Sequence, residues 1–167
     1  IFPANLDVIP KFAFYQCSKL TSIEFPLNTT TIDDGAFSHC SQLDSIRLPL
    51  SLTTIGTSAF SHCTNLYSII VNTNIDRIGR SAFSHCSKLM SIIIPPKVTI
   101  IPDFCFADCT DLSIINLHHK IEKVGIRAFL NCSKLTSIQP PDGLRIIDNH
   151  AFSECISLTS FHIPESV

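Results

Sequence analysis

Residues 43–63 read Leu43-Asp44-Ser45-Ile46-Arg47-Leu48-Pro49-Leu50-Ser51-Leu52-Thr53-Thr54-Ile55-Gly56-Thr57-Ser58-Ala59-Phe60-Ser61-His62-Cys63. The same order of apolar residues recurs every 23 residues without insertion or deletion. The cysteines mark this period most plainly: Cys17, Cys40, Cys63, Cys86, Cys109, Cys132 and Cys155. A fixed short period is the signature of a solenoid, in which each repeat packs mainly on its neighbours.

Other positions of the repeat predict its local structure. A phenylalanine precedes each of these cysteines by three residues, and the residue before it is alanine except at Cys105. The alternation over residues 43–48 is typical of a half-buried strand, and the proline that follows ends it. Within residues 56–63, Ala, Phe and Cys have spacings that suit one helical turn. We therefore predict an α/β repeat solenoid with one strand per repeat, a parallel sheet, and short helical turns or irregular segments opposite the sheet.

The string Ala-Phe-x-x-Cys-x-x-Leu, with the Ile-Pro that follows, resembles the 23-residue leucine-rich repeat of BspA-like surface antigens. The resemblance covers essentially the whole chain and implies a right-handed leucine-rich repeat coil with the sheet on its concave side. Proteins of this family occur in bacteria and mucosal parasitic protists, where they are generally cell-surface or secreted. They are implicated in adhesion to host cells and extracellular matrix. Two departures, Thr29 and Pro140, replace aliphatic residues of the repeat and predict local weak spots.

The period also predicts the domain organisation. Residues 1–167 form a single leucine-rich repeat domain of about seven repeats. The chain begins and ends within a unit and offers no polar cap, which a solenoid normally needs. We expect a fragment of a longer array, or self-association through the uncapped ends.

Composition excludes several functions. Only 16% of the residues are charged, and 12 Lys+Arg stand against 14 Asp+Glu without a basic run, so we expect no nucleic-acid partner. The apolar runs stop far short of the roughly 20 residues of a membrane span. We find no glycine-rich phosphate loop, no paired carboxylates and no facing Cys–His pair, and expect neither an enzyme nor a cofactor.

The cysteine and histidine columns admit more than one interpretation. We interpret the cysteines as small apolar fillers of the core with free thiols. Disulfides between stacked repeats are an alternative, and Cys105 with Cys109 forms only a weak metal motif. His39, His62 and His85 form a ladder on the convex surface that could hold Zn²⁺ or respond to mild acid. The simpler interpretation is that they are exposed polar residues copied with the repeat, and we expect no metal.

Two N-glycosylation sequons occur, Asn28-Thr29-Thr30 and Asn131-Cys132-Ser133. They matter only in a secreted protein. Asn131 adjoins a core cysteine, so we expect its access to a glycosylating enzyme to be restricted.

The positions between the buried columns of the strand vary most and should face the concave side of the sheet. We predict an apolar patch there, formed by Tyr67, Ile70, Met90, Ile93 and Ile114 and rimmed by Arg47, Asn116 and Gln139. Apolar patches with polar rims often mark interfaces, although exposed β-branched residues also simply suit a strand.

The patch predicts a protein-binding module, and the family resemblance implies a surface adhesin for host-cell or matrix proteins. Two alternatives stay open: an intracellular scaffold or regulatory repeat protein, and a purely architectural array assembled end to end.

Overall fold

A computed structural model describes residues 2–3 and 5–167. We number the repeats 1 to 7 by their phenylalanines, from Phe14 to Phe152. The structure is a parallel-strand solenoid. Its short strands form two rows, and each row extends along the length of the solenoid from repeat to repeat. The front row contains three-residue strands: β3 (Ser45–Arg47), β5 (Ser68–Ile70), β7 (Ser91–Ile93) and β9 (Ile114–Asn116). The rear row contains two-residue strands: β1 (Val8–Ile9), β2 (Thr31–Ile32), β4 (Thr54–Ile55), β6 (Arg77–Ile78), β8 (Ile100–Ile101), β10 (Lys123–Val124) and β11 (Ile146–Ile147).

All strand pairs are parallel and join residues one period apart. In the front row β3 pairs with β5 and β7 with β9, so that Ile46 lies opposite Ile69. The rear row forms a four-stranded sheet, β1-β2-β4-β6, and a three-stranded sheet, β8-β10-β11. The prediction of one strand per repeat is therefore wrong, because most repeats add a second strand in the rear row.

The rear row divides at a proline. After β2, β4, β6, β10 and β11, a backbone N–H donates to a carbonyl one repeat earlier, as Gly79 does to Ile55 at 2.8 Å. Pro102 occupies this position after β8 and has no N–H, so it cannot donate to Ile78. The two rear sheets are separated at this point.

The prediction of short helical turns is also wrong. Between each rear strand and its cysteine the chain forms consecutive reverse turns, with φ of 53° at Ser58 and 60° at His62. Alternate N–H groups here donate to the next repeat, as Phe60 does to Ala82 at 2.9 Å, and the N–H groups between them bond back three residues. A helix would keep all these donors within one repeat. Bonding between repeats replaces the helix, and no α-helix forms within the described residues.

The core lies between the strand rows and the turn segments and consists of columns of like side chains. Neighbouring phenylalanine rings from Phe14 to Phe152 stack with centroids 5.0 to 5.7 Å apart and planes within 13°. The rings of repeats 2 to 6 are fully buried. This continuous apolar column holds the repeats together.

The two departures from the repeat pattern differ in their outcome. The buried hydroxyl of Thr29 donates to the carbonyl of Leu6 at 2.9 Å, so its polar group is satisfied. At Pro140 the front row is reduced to one bridge between Ser137 and Ser160. Because proline cannot donate to a strand ladder, this agrees with the weak spot predicted there.

Among residues 2–3 and 5–167, the structure contains no helix long and apolar enough to cross a membrane.

Candidate protein-binding face

The front strands determine which side chains are exposed. In β5 and β7 the middle isoleucines, Ile69 and Ile92, are buried in the core, whereas Ile70 and Ile93 point outward. This follows from the alternation of a strand, because successive side chains lie on opposite faces of the sheet. We call the outward side of β3, β5, β7 and β9 the front face.

All five apolar residues predicted for the patch are exposed in the structure. Their exposed fractions are 47% for Tyr67, 49% for Ile70, 52% for Met90, 77% for Ile93 and 61% for Ile114. They come from three consecutive repeats, and β5 lies beside β7, so the side chains share one surface. We call these five residues the front patch.

The predicted rim residues are all exposed but differ in their distance from the front patch. Arg47 lies opposite Ile70 in the pairing of β3 with β5, and Asn116 lies opposite Ile93 in that of β7 with β9. Gln139 lies further along the solenoid, where it lines a shallow depression with His162. Two of the three therefore border the front patch directly.

The charges lie at one end of the front patch. Arg47 and Asp44 are exposed in repeat 2, where the Asp44 carboxylate accepts a hydrogen bond from the Ser45 hydroxyl at 3.0 Å. At the other end, Asn116 is a neutral amide. The front patch itself contains no ionisable group except the phenol of Tyr67.

The cysteine column is more than the apolar filler predicted from the sequence. Six buried thiols each donate to the carbonyl of the phenylalanine in the preceding repeat, as Cys63 does to Phe37. The distances are 3.1 to 3.2 Å for Cys40, Cys63, Cys86, Cys109, Cys132 and Cys155. The thiols thus add a hydrogen-bond ladder beside the phenylalanine column.

The buried thiols are also poor nucleophiles. Burial raises the pKa of Cys86 to about 12, so its thiol keeps its proton at neutral pH. Because the thiolate is the reactive form, such cysteines are inert. Cys17, in contrast, is exposed.

The three histidines of the convex ladder are half-buried rather than freely exposed. The rings of His39 and His62 stack with centroids 4.2 Å apart, and those of His62 and His85 with centroids 4.1 Å apart. The part of the chain that the structure describes contains no group of three His, Cys, Asp or Glu side chains arranged for a metal ion.

The repeat geometry and the recurring sequence motif both indicate one family. The BspA type leucine-rich repeat model matches residues 1–113 and 65–167, with six copies. The chain belongs to this BspA-type repeat family. No curated protein matches the sequence.

Solved structures show the same fold for the BspA-type chain. A leucine-rich repeat protein of T. pallidum is 24% identical with a TM-score of 0.68, over 83% of this chain and 75% of that one. One from Eubacterium ventriosum is 19% identical with a TM-score of 0.64, over 84% and 54%. One from Bacteroides ovatus is 23% identical with a TM-score of 0.53, over 98% and 66%. At these identities the likeness establishes the solenoid fold alone.

The two sequons of the BspA-type chain differ in accessibility. Asn28 is exposed. Asn131 is half-buried, and its amide donates to the Asp108 carboxylate at 2.9 Å. The restricted access expected for Asn131 agrees with this contact.

Sequence reasoning missed two strongly exposed leucines beside the front face. Leu27 and Leu50 each follow the proline after a front segment, one period apart. The sequence contained a signal for them. The equivalent position is polar or proline in the later repeats, which indicates an exposed site, and a leucine there is therefore exposed. The BspA-type repeats 1 and 2 therefore present a second, smaller apolar surface.

Proposed function

We propose that this BspA-type chain is the non-catalytic recognition part of a cell-surface or secreted adhesin. Its front face binds a protein of the host cell or the extracellular matrix. The observation that carries the proposal is the front patch, in which five large apolar side chains share one exposed surface. Exposed apolar patches rimmed by polar residues are typical of protein interfaces.

The composition of the front patch supports a protein ligand. Tyrosine and methionine are enriched at the centres of protein interfaces, where charged residues are depleted. A row of short paired strands presents these side chains on a broad surface. Arg47 at one end suits a partner that carries an acidic group beside its own apolar surface.

A non-catalytic role is supported by the chemistry of the core. The residues most suited to nucleophilic attack, the column cysteines, are mostly buried and protonated. Leucine-rich repeat proteins of this type are generally binding modules rather than enzymes. The surface location rests on the family, whose members are generally exposed or secreted.

One observation favours a second candidate, an intracellular scaffold. All eight cysteines are free thiols in this structure, and free thiols are typical of reducing compartments. In that case the same front face binds an intracellular partner.

The test is binding of the purified chain to intact cultured epithelial cells and to a panel of immobilised matrix proteins. The variant Ile70→Asp/Ile93→Asp places two carboxylates in the front patch. Burying an unpaired charge in an interface is costly, so we expect affinity to fall by about 100-fold or more. Unfolding curves first establish that each variant is folded.

The matched control is Ile100→Asp/Ile146→Asp in the rear row, where the two isoleucines are 49% and 46% exposed. These substitutions add the same charge at two exposed isoleucines that lie away from the front patch. Loss of binding in the front variant alone supports the proposal. Equal binding by both variants contradicts the use of the front patch, and no binding by the wild type contradicts the adhesin and favours the scaffold.

A further inference from the structure

The histidines of repeats 2, 3 and 4 form a continuous stack of rings. The planes of His39 and His62 are inclined by 6°, and those of His62 and His85 by 11°. With centroids 4.1 to 4.2 Å apart, the ring faces are in van der Waals contact and leave no room for water between them. A charge on one ring therefore acts on its neighbour with no layer of solvent between them.

The groups at the two ends of the stack are different. Beyond His39, the ring of Tyr15 packs edge-on at 5.5 Å. Beyond His85, the carboxylate of Asp108 lies 3.5 Å from Nδ1 and also accepts a hydrogen bond from Asn131. A positive charge on His85 thus has a counter-ion within reach.

The central histidine has no such partner. The rings stacked on the two faces of His62 are imidazoles, and the adjoining core thiol of Cys63 is neutral because burial raises its pKa. Burial lowers the pKa of His62, and charge on His85 and His39 lowers it further, while the more distant Asp108 acts in the opposite direction. The folded protein therefore resists protonation of this ring.

The stack is coupled to the junctions between repeats through the backbone. The N–H of His62 donates to Ser84 in the next repeat at 2.8 Å, and that of His85 donates to Ala107 at 2.7 Å. His39 donates in the same way. Repulsion that separates the rings pulls on the residues that make these bonds.

We propose that the stack of His39, His62 and His85 is an acid-sensitive element that loosens the junctions of repeats 2 to 4 as the pH falls below neutrality. The unfolded chain binds a proton at the ordinary histidine pKa of 6.5, whereas the folded chain holds the pKa of His62 below it. The contribution of the unprotonated His62 ring is thus fully present above pH 6.5 and is lost as the pH falls below that value.

The test compares the wild type with the triple variant His39→Asn/His62→Asn/His85→Asn. Asparagine suits the positive φ of this position, since Asn131 occupies it in repeat 6 with φ 54°. Equilibrium urea unfolding is measured between pH 7.5 and pH 5. The histidines outside the stack are common to both proteins, so their effects cancel.

We expect the unfolding constant of the wild type to rise by a larger factor than that of the triple variant over this range, because only the wild type carries the ring whose protonation the folded state resists. The matched control is His162→Asn, which removes an exposed histidine outside the stack and leaves all three stacked rings in place. The protection factors of the three stacked amides, which correct for the slower intrinsic exchange at low pH, should fall at pH 5 in the wild type. Equal pH dependence in the wild type and the triple variant overturns the proposal.

If the triple variant does not fold, an NMR titration of the wild-type imidazoles decides instead. A midpoint for His62 clearly below 6.5 supports the proposal. A midpoint at or above 6.5 overturns it.

Discussion

The buried thiol of Cys63 donates to Phe37, and replacing it by alanine or serine separates its two roles as donor and as filler. Alanine removes both the hydrogen bond and the volume of the sulfur. Serine keeps a donor but is smaller and more polar than cysteine. The order of stability of the two variants therefore depends on which role matters more.

The magnitude follows from the surroundings of the sulfur. Cys63 is fully buried, so losing one heavy atom costs about 0.8 kcal/mol of apolar burial. Losing the weak thiol donor costs about 0.5 to 1 kcal/mol more. The Phe37 carbonyl keeps its bond from the Cys40 N–H at 3.1 Å and is not left without a donor. We expect Cys63→Ala to lower the free energy of unfolding by about 1.3 to 1.8 kcal/mol.

Cys63→Ser should be more stable than Cys63→Ala, because its hydroxyl can donate to the same carbonyl. Urea unfolding followed by tyrosine fluorescence gives the free energies of both variants. Cys17→Ala is the control, since this thiol is exposed, and it should change stability by less than about 0.5 kcal/mol. A serine variant less stable than the alanine variant would refute the donor role. Burying a hydroxyl in an apolar site is costly when it finds no acceptor, so this order would mean that no hydrogen bond to the carbonyl is made.

Three other predictions follow from the repeat geometry. Phe83→Ala should lower the free energy of unfolding by about 3 to 5 kcal/mol, since the buried Phe83 ring stacks on both sides. Phe152 is half-buried at the edge of the column, so Phe152→Ala should lower it measurably less in the same unfolding assay. Gly79→Ala should destabilise the protein by more than about 1 kcal/mol, because a Cβ there would lie 2.4 Å from backbone. A Cβ at Gly143 would meet its first atom at 3.1 Å, so Gly143→Ala should destabilise the protein less. Similar melting temperatures for the two variants would contradict this. A thiol reagent at neutral pH should modify Cys17 rapidly and the buried cysteines only on unfolding, as mass spectrometry can count; rapid modification of several thiols in the native protein would contradict their burial.

The columns of the core and the exposed front residues could be predicted from the sequence. Because each repeat meets its neighbours at the same register, a residue type that recurs in phase must occupy equivalent surroundings. Phe60 and Leu66 are accordingly buried, and the alternation around Ile69 places Ile70 outside. Whether the front patch binds a protein stays a prediction.

The turn segments could not be predicted in the same way. Spacings of one, three and four residues fit a helical turn, but they equally fit two consecutive reverse turns. Gly35 and Asn131, at the two positive-φ positions, were the available signal, because both residue types tolerate this conformation. The rear strands are two residues long and show no alternation. The thiol ladder joins residues 26 apart and depends on this unforeseen turn geometry.

The constant register has a consequence for how such a chain can change in length. Each strand pair joins residues one period apart, and the thiol bonds span 26 residues, so the loops that folding must close keep the same size however many repeats there are. Removing residues 72–94 would join Val71 to Pro95 and bring equivalent positions into register. Duplication or excision of whole periods therefore lets an array lengthen or shorten by recombination without redesign of any contact. The surface presented to a partner can grow in steps of one strand, while each junction keeps its own stability.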